Sequence, residues 1–288
     1  MTLAAQQDTR TPFEFVSSLA SELTRGQVDL PSFPDVTLRL QQALADPEIS
    51  VERVARVVGS DAGLTGRILT MANSSLLHRS SHPVTDLKMA VTRIGQDNIR
   101  AAALSYASAQ LRNAGGLAPV RAELEEFWLE SIRAAAMAHA IARENNQVRA
   151  DEAMLTGLMH NIGKVYIVAR SVNGIALGAN AAERNQLLRD WHPGVGQALI
   201  ENWKLPSAIS TAVGGQLDVD YNHSGPPDLQ DMLIVALLLT EQIRDADGEV
   251  SQLVELKAAK KLGLDDSALV RIVLESQTEV EMLQAALG

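Results

Sequence analysis

The stretch Thr156-Gly157-Leu158-Met159-His160-Asn161-Ile162-Gly163-Lys164-Val165 decides how the chain is read. Met154 or Leu155, Leu158, Ile162 and Val165 recur at three- and four-residue steps, which lays one apolar stripe along a helix. Asp151 stands where an N-cap belongs. Gly157 and Gly163 interrupt this helix, and each costs about 0.8–1 kcal/mol against Ala. A glycine inside a helix marks close backbone packing or a nearby ligand. His160 and Asn161 lie between the two, about 100° apart around the axis.

Around this stretch the chain reads as all-α. Its 288 residues suffice for one large domain with a sizeable core. Aromatic residues are few, alanine is common, and few segments alternate with period two. The formal charge of -10 argues against nonspecific binding to nucleic acid or to an anionic membrane surface. No cysteine is present, so disulfides, thiolate metal sites and a Cys nucleophile are excluded. That fits a cytoplasmic setting. The longest strong apolar run, Met232 to Leu239, is far shorter than the about 20 residues that span a bilayer.

Helical faces and punctuation recur along the chain. Phe15, Val16, Leu19 and Leu23 form the first face, closed by Gly26. Leu30-Pro31-Ser32-Phe33-Pro34 is an extended entry to a helix burying Val36, Leu40, Ala43 and Leu44. Ser50 and Asp61 are N-caps of the next two helices, and Asn73-Ser74-Ser75 stops the second. Leu87, Val91 and Ile94 precede Gly95, a helix terminator, and Asp97 is placed to cap the helix after it. Asn113 to Pro119 reads as a loop and Ala122 to Glu144 as a long helix with a small-residue face at Ala134 to Ala138. Glu183 to Asp190 reads as a polar helix, followed by a separate one entered through Trp191-His192-Pro193. Gly214 to Asp228 is the longest loop-like stretch. Closing helices are expected at Asp228 to Asp245, Glu249 to Leu262 and Asp266 to Leu287.

Two resemblances follow from these residues. The central stretch is similar to the doublet helix of the HD superfamily of metal-dependent phosphohydrolases, with Asn161 where that family has an aspartate. The ordered runs Leu30 to Pro34, Ser50-Val51, Asp61 to Thr65, Met71 to Ser75 and Ala90 to Gly95 resemble the N-terminal half of the HDOD domain, a degenerate relative. Trp203-Lys204-Leu205-Pro206 resembles that family's Trp-x-Leu-Pro turn. The resemblance implies an all-α, multi-helix HD-like fold over residues 13–288, after a disordered lead at 1–12. Its parts would be an N-terminal helical half at 13–112, an HD-like half at 120–213 and C-terminal helices at 229–288.

Carried over by position, the HD site falls on Glu130, His160, Asn161 and His192. Glu130 replaces a histidine in a Trp-x-His-Ser pattern. Gly214-Gly215-Gln216 stands where the family has a His pair, and Thr240 or Glu241 where it has a late aspartate. Imidazole and carboxylate ligands suit hard or borderline dications, and an amide is much poorer. The expectation is a remnant site with no metal, no cofactor and no catalysis. HDOD resemblance implies a bacterial signal-transduction or response-regulator module that binds proteins. Its partners would be receiver domains, diguanylate cyclases, phosphodiesterases or kinases. The alternatives are a weak metal-dependent phosphohydrolase and a nucleotide-sensing pseudoenzyme. The oligomeric state stays open.

Bland readings stand beside these. His160 can bond Glu130 or a backbone carbonyl within the core, and Asn161 can cross-link helices. His139 on its Ala-rich face reads as packing, and His223 as a solvated loop residue. His78 and His82 are four apart, a zinc-like spacing in a helix, but their serines and Pro83 favour a loop. A P-loop fails at Gly157 and Gly163-Lys164, because the spacer is one residue too long and Val165 replaces Ser/Thr. Gly194-Val195-Gly196 lacks the rest of a dinucleotide fingerprint. The Asn73–Pro83 and Gly214–Asp228 loops are the expected contact surfaces.

Overall fold

The computed structural model describes residues 11–27, 34–46, 48–74, 83–172, 175–244 and 250–287. The expected surface at Asn73–Pro83 falls largely on residues outside these, as do His78 and His82. Every regular element among the described residues is helical. The all-α expectation is met.

In chain order the helices are α1 (Pro12–Thr24), α2 (Asp35–Leu44), α3 (Val51–Val58), α4 (Ala62–Ala72) and α5 (Leu87–Asn113). Next come α6 (Arg121–Asn145), α7 (Ala150–Met159), α8 (Ile162–Ser171), α9 (Ala181–Asn202) and α10 (Ser207–Gly214). The last are α11 (Leu229–Arg244), α12 (Lys257–Lys261) and α13 (Asp266–Leu287). Thr11 caps α1 with a reciprocal Glu14 capping box, so Thr11 and Pro12 belong to the first helix and its cap. The caps read at Ser50 and Asp61 are present, each side chain accepting an N–H from the first turn. Gly95, at φ 76°, kinks α5 where a helix end was expected.

The structure corrects four boundaries. Asp97 is not a cap: it is buried beside Arg100 and Arg149. Asp151 lies in the first turn of α7, whose N-cap position is Arg149. Gly115–Val120 winds into a 3-10 turn instead of an open loop. The last quarter holds a 3-10 turn at Val250–Glu255 and the short α12 in place of one continuous helix.

Helix α6 is the central strut, packed by α7, α11 and α13. Its run from Ala134 to Ala138 is buried, and Gly157 of α7 lies directly on it. A methyl at Gly157 would stand 2.6 Å from the Ala135 Cα. Helices α8 and α9 meet just as closely. A methyl at Gly163 would stand 2.0 Å from the His192 carbonyl oxygen. The second approach sets the His192 backbone against α8 three residues after His160.

Candidate functional site

The doublet does not form one helix. It breaks at His160 and Asn161, which are the C-cap of α7 and the N-cap of α8. Helix ends leave carbonyls without partners, and side chains serve them here. His160 Nδ1 donates to the Gly157 carbonyl at 2.7 Å, and Gln216 Nε2 donates to the His160 carbonyl at 3.1 Å. Asn161 does not cap α8. Its Nδ2 donates to Glu130 Oε2 at 3.0 Å and to the Phe127 carbonyl at 3.4 Å, tying the break to α6. The helix cross-link read for Asn161 and the backbone bond read for His160 are therefore both present.

His192 answers a related problem. Pro193 has no N–H, and two helices were expected, one at Glu183 to Asp190 and one entered through Trp191-His192-Pro193; α9 instead runs on through the proline. The carbonyl of Arg189, which residue 193 would normally bond, receives His192 Nδ1 at 3.2 Å. The same atom also donates to Leu188 O at 2.8 Å. The side chain thus repairs the ladder that its neighbour interrupts.

Glu130, His160 and His192 line one cleft of about 1050 Å³ with Lys164, Gln216, Thr240 and Glu241. Asn161 is not among its lining residues. It borders a separate cavity of about 20 Å³ beside Arg112 and Trp128. The carboxylate of Glu130 is engaged twice, by Asn161 and by Lys164 Nζ at 3.6 Å. In the sequence Gln216 stands only as a replacement for the family's His pair and Lys164 only within a failed P-loop, and neither is given a role in a cleft. A four-residue step from His160 could have marked Lys164.

Burial, reinforced by the Lys164 ammonium, pushes His160 down to about 3 and His192 down to about 4. Both rings are neutral at pH 7. With Nδ1 spent on carbonyls, each keeps Nε2 as an acceptor. The sign of the pH dependence follows. These folded-state values lie below the unfolded one, so the stabilising term is present above about 6.5 and declines as pH falls toward 4. One pH unit below the unfolded-state value should cost about 1.4 kcal/mol for each ring. Urea midpoints between pH 7 and 5 should fall accordingly, and His192→Asn should flatten the curve.

Two other histidines depart from their expected roles. Buried His139 is more than packing: its Nδ1 meets Glu279 Oε2 at 2.9 Å, and Arg143 shares that carboxylate. His223 is not merely solvated. Its Nε2 lies 2.8 Å from Asp231 Oδ2 and 3.5 Å from Asp228 Oδ2, with Tyr221 stacked on the ring. These three residues offer ligand atoms within 4.8 Å of one another. Their oxygens already serve the start of α11, where Asp228 Oδ1 accepts from the backbone of Gln230 and Asp231.

As to the metal that an HD site would hold, the donor set does not fit. The imidazoles offer Nε2, but Glu130 is already engaged by a cation, Asn161 lies outside the cleft, and Thr240 donates to the Ala236 carbonyl. A divalent pair needs several anionic oxygens.

Comparison with known proteins places these features. The HDOD domain family matches residues 30–218. An uncharacterized protein of Treponema pallidum (strain Nichols) is 22% identical over 243 residues, covering 81% of this chain and 46% of its own. The chain thus spans about half the length of that relative. A Shewanella amazonensis structure with a provisional metal-dependent phosphohydrolase name superposes with a TM-score of 0.74 at 25% identity, covering 96% of this chain and 99% of that one. A Marinobacter aquaeolei VT8 structure, provisionally named a signal transduction protein, gives a TM-score of 0.60 at 19% identity, covering 98% and 67%. Among the described residues no helix is long and apolar enough to cross a membrane.

Proposed function

Because the chain belongs to the HDOD family, we propose that it is a non-catalytic regulatory module of bacterial signal transduction, acting through contacts with other signalling proteins. A receiver domain, a cyclic-di-nucleotide synthase or phosphodiesterase, and a kinase are the partner classes that suit such a module. The observation that carries this reading is the tie from Asn161 to Glu130. It turns the doublet's second side chain away from the cleft and, with Lys164, occupies the carboxylate that would replace a missing ligand. The Marinobacter structure's name points the same way and adds only a shared fold.

A metal-dependent phosphohydrolase, as the Shewanella name suggests for that protein, has the two Nε2 atoms in its favour. Among the described residues no carboxylate forms with them a three-ligand group close enough to hold an ion. Purification without chelator should yield well below one transition-metal ion per chain by plasma mass spectrometry. A Mn²⁺-supplemented screen of phosphomonoesters and phosphodiesters should show no turnover. Stoichiometric metal lost on His160→Ala, or turnover abolished by it, would reverse the reading.

A further inference from the structure

The floor of the cleft holds three lone pairs that lack a donor. The neutral rings of His160 and His192 each spend their one N–H on backbone carbonyls, leaving Nε2 as an acceptor. Gln216 spends its amide nitrogen on the carbonyls of His160 and Val213. Its Oε1 is buried and accepts from no donor while the His192 ring is neutral; the two side chains lie within hydrogen-bond reach, and a bond forms between them only when that ring takes a second proton. Turning the amide round gives no relief, since its oxygen would then face two carbonyl oxygens. All three side chains line the same cleft. Converging acceptors in a low-dielectric pocket are costly until a donor enters.

A phosphate or carboxylate does not satisfy this floor. Its oxygens would meet lone pairs unless the imidazoles were protonated first. Gln216 Oε1 carries no proton at any pH, so an anion would still face at least that lone pair. A donor ligand needs no such step.

The mouth of the cleft indicates what carries the donor. Leu217 and Ile243 line it while 48% and 42% exposed, which leaves two apolar side chains of the lining open to a partner. Lining carboxylates outnumber lining cations five to three; Lys164 and Glu130 offset one another, and Glu123 is held by Arg184. An acidic, apolar rim suits a cation on an aliphatic stem. A guanidinium carries five N–H donors in one plane and serves several acceptors at once; an ammonium is a compact and strongly hydrated charge.

We propose that this cleft is a receptor for an arginine side chain presented by a partner protein, its guanidinium donating to His160 Nε2, His192 Nε2 and Gln216 Oε1. The proposal rests on the non-catalytic reading, since a metal on the imidazoles would consume the same lone pairs.

The test is calorimetry on the intact, chelator-treated chain with the capped tripeptide Leu-Arg-Leu as probe. Its citrulline and lysine analogues, arginine amide and inorganic phosphate are the comparisons. The arginine peptide should bind at least tenfold tighter than either analogue, and phosphate should not compete. His192→Asn and His160→Asn keep a donor for the backbone carbonyl but delete the Nε2 acceptor, so each should weaken binding about tenfold. Should those variants unfold, the surface changes Leu217→Ser and Glu281→Gln supply the test, with a loss of several-fold each. Equal binding of the arginine and citrulline peptides, or no binding of either, overturns the proposal. Arginine amide binding as tightly as the peptide overturns the protein source, pointing to a small metabolite. A separate metal titration decides the non-catalytic reading: an ion at full occupancy sinks that premise, whereas peptide failure without metal sinks only the arginine receptor.

Discussion

Gly163→Ala should cost about 3 kcal/mol or more of folding stability, although alanine is the better helix former by about 1 kcal/mol. The added methyl would stand 2.0 Å from the His192 carbonyl oxygen and 2.9 Å from the Gly196 nitrogen. Both are backbone atoms, so no side-chain rotation can make room, and α8 must move off α9. That motion separates His160 from His192. It also exposes both rings, so their depressed titration should climb back toward the ordinary histidine value. Gly194 on the same α9 supplies the control, because a methyl there meets nothing within 4 Å. Gly194→Ala should stabilise by about 0.5–1 kcal/mol. Urea denaturation measures both variants, and histidine NMR titration reports the ring environment. A Gly163→Ala protein as stable as the parent would show that the α8–α9 contact is looser than described.

The glycine contrast also shows what a linear sequence can reveal. Gly157 and Gly163 stood out because each breaks a strong helical stripe, and close backbone packing was one of two meanings they allowed. The helix caps at Ser50 and Asp61 were legible for the same reason: capping is decided within four residues. The break at His160 was not legible. It depends on Gln216 reaching back to one carbonyl and on Glu130 drawing Asn161 sideways, interactions that span 56 and 31 positions. Continuity through Pro193 was hidden because the repair comes from the adjacent histidine, whose rotamer no pattern specifies. His139 looked like packing until α13 brought Glu279 to it from 140 positions away. The motif thus placed the cleft, whereas its chemistry is set by which side chains the tertiary fold uses up.

Asp97→Ala should be the most damaging loss of a single charge, at about 3–5 kcal/mol. Arg100 is only 6% exposed at its side chain, and Asp97 lies 3.3 Å from it. Burial pulls the Arg100 guanidinium below its usual value, and Asp97 is the leading influence that restores it. Without Asp97 the guanidinium keeps one backbone partner, the Leu44 carbonyl at 2.6 Å, and only the weaker influence of the Glu152 carboxylate. An arginine cannot escape by losing its proton at neutral pH. The reverse deletion is milder. Asp97 also pairs with Arg149 at 2.8 Å, and that arginine is 72% exposed. Arg100→Met therefore leaves a compensated carboxylate and one carbonyl without its donor, which should cost about 1–3 kcal/mol. The double variant Asp97→Leu with Arg100→Met should recover part of the Asp97→Ala loss, because no charge then stays buried and unpaired. Chemical denaturation of the three variants gives the ranking. If Arg100→Met proved as damaging as Asp97→Ala, the cost would lie in the α2–α5 contact through Leu44 and not in an orphaned buried charge.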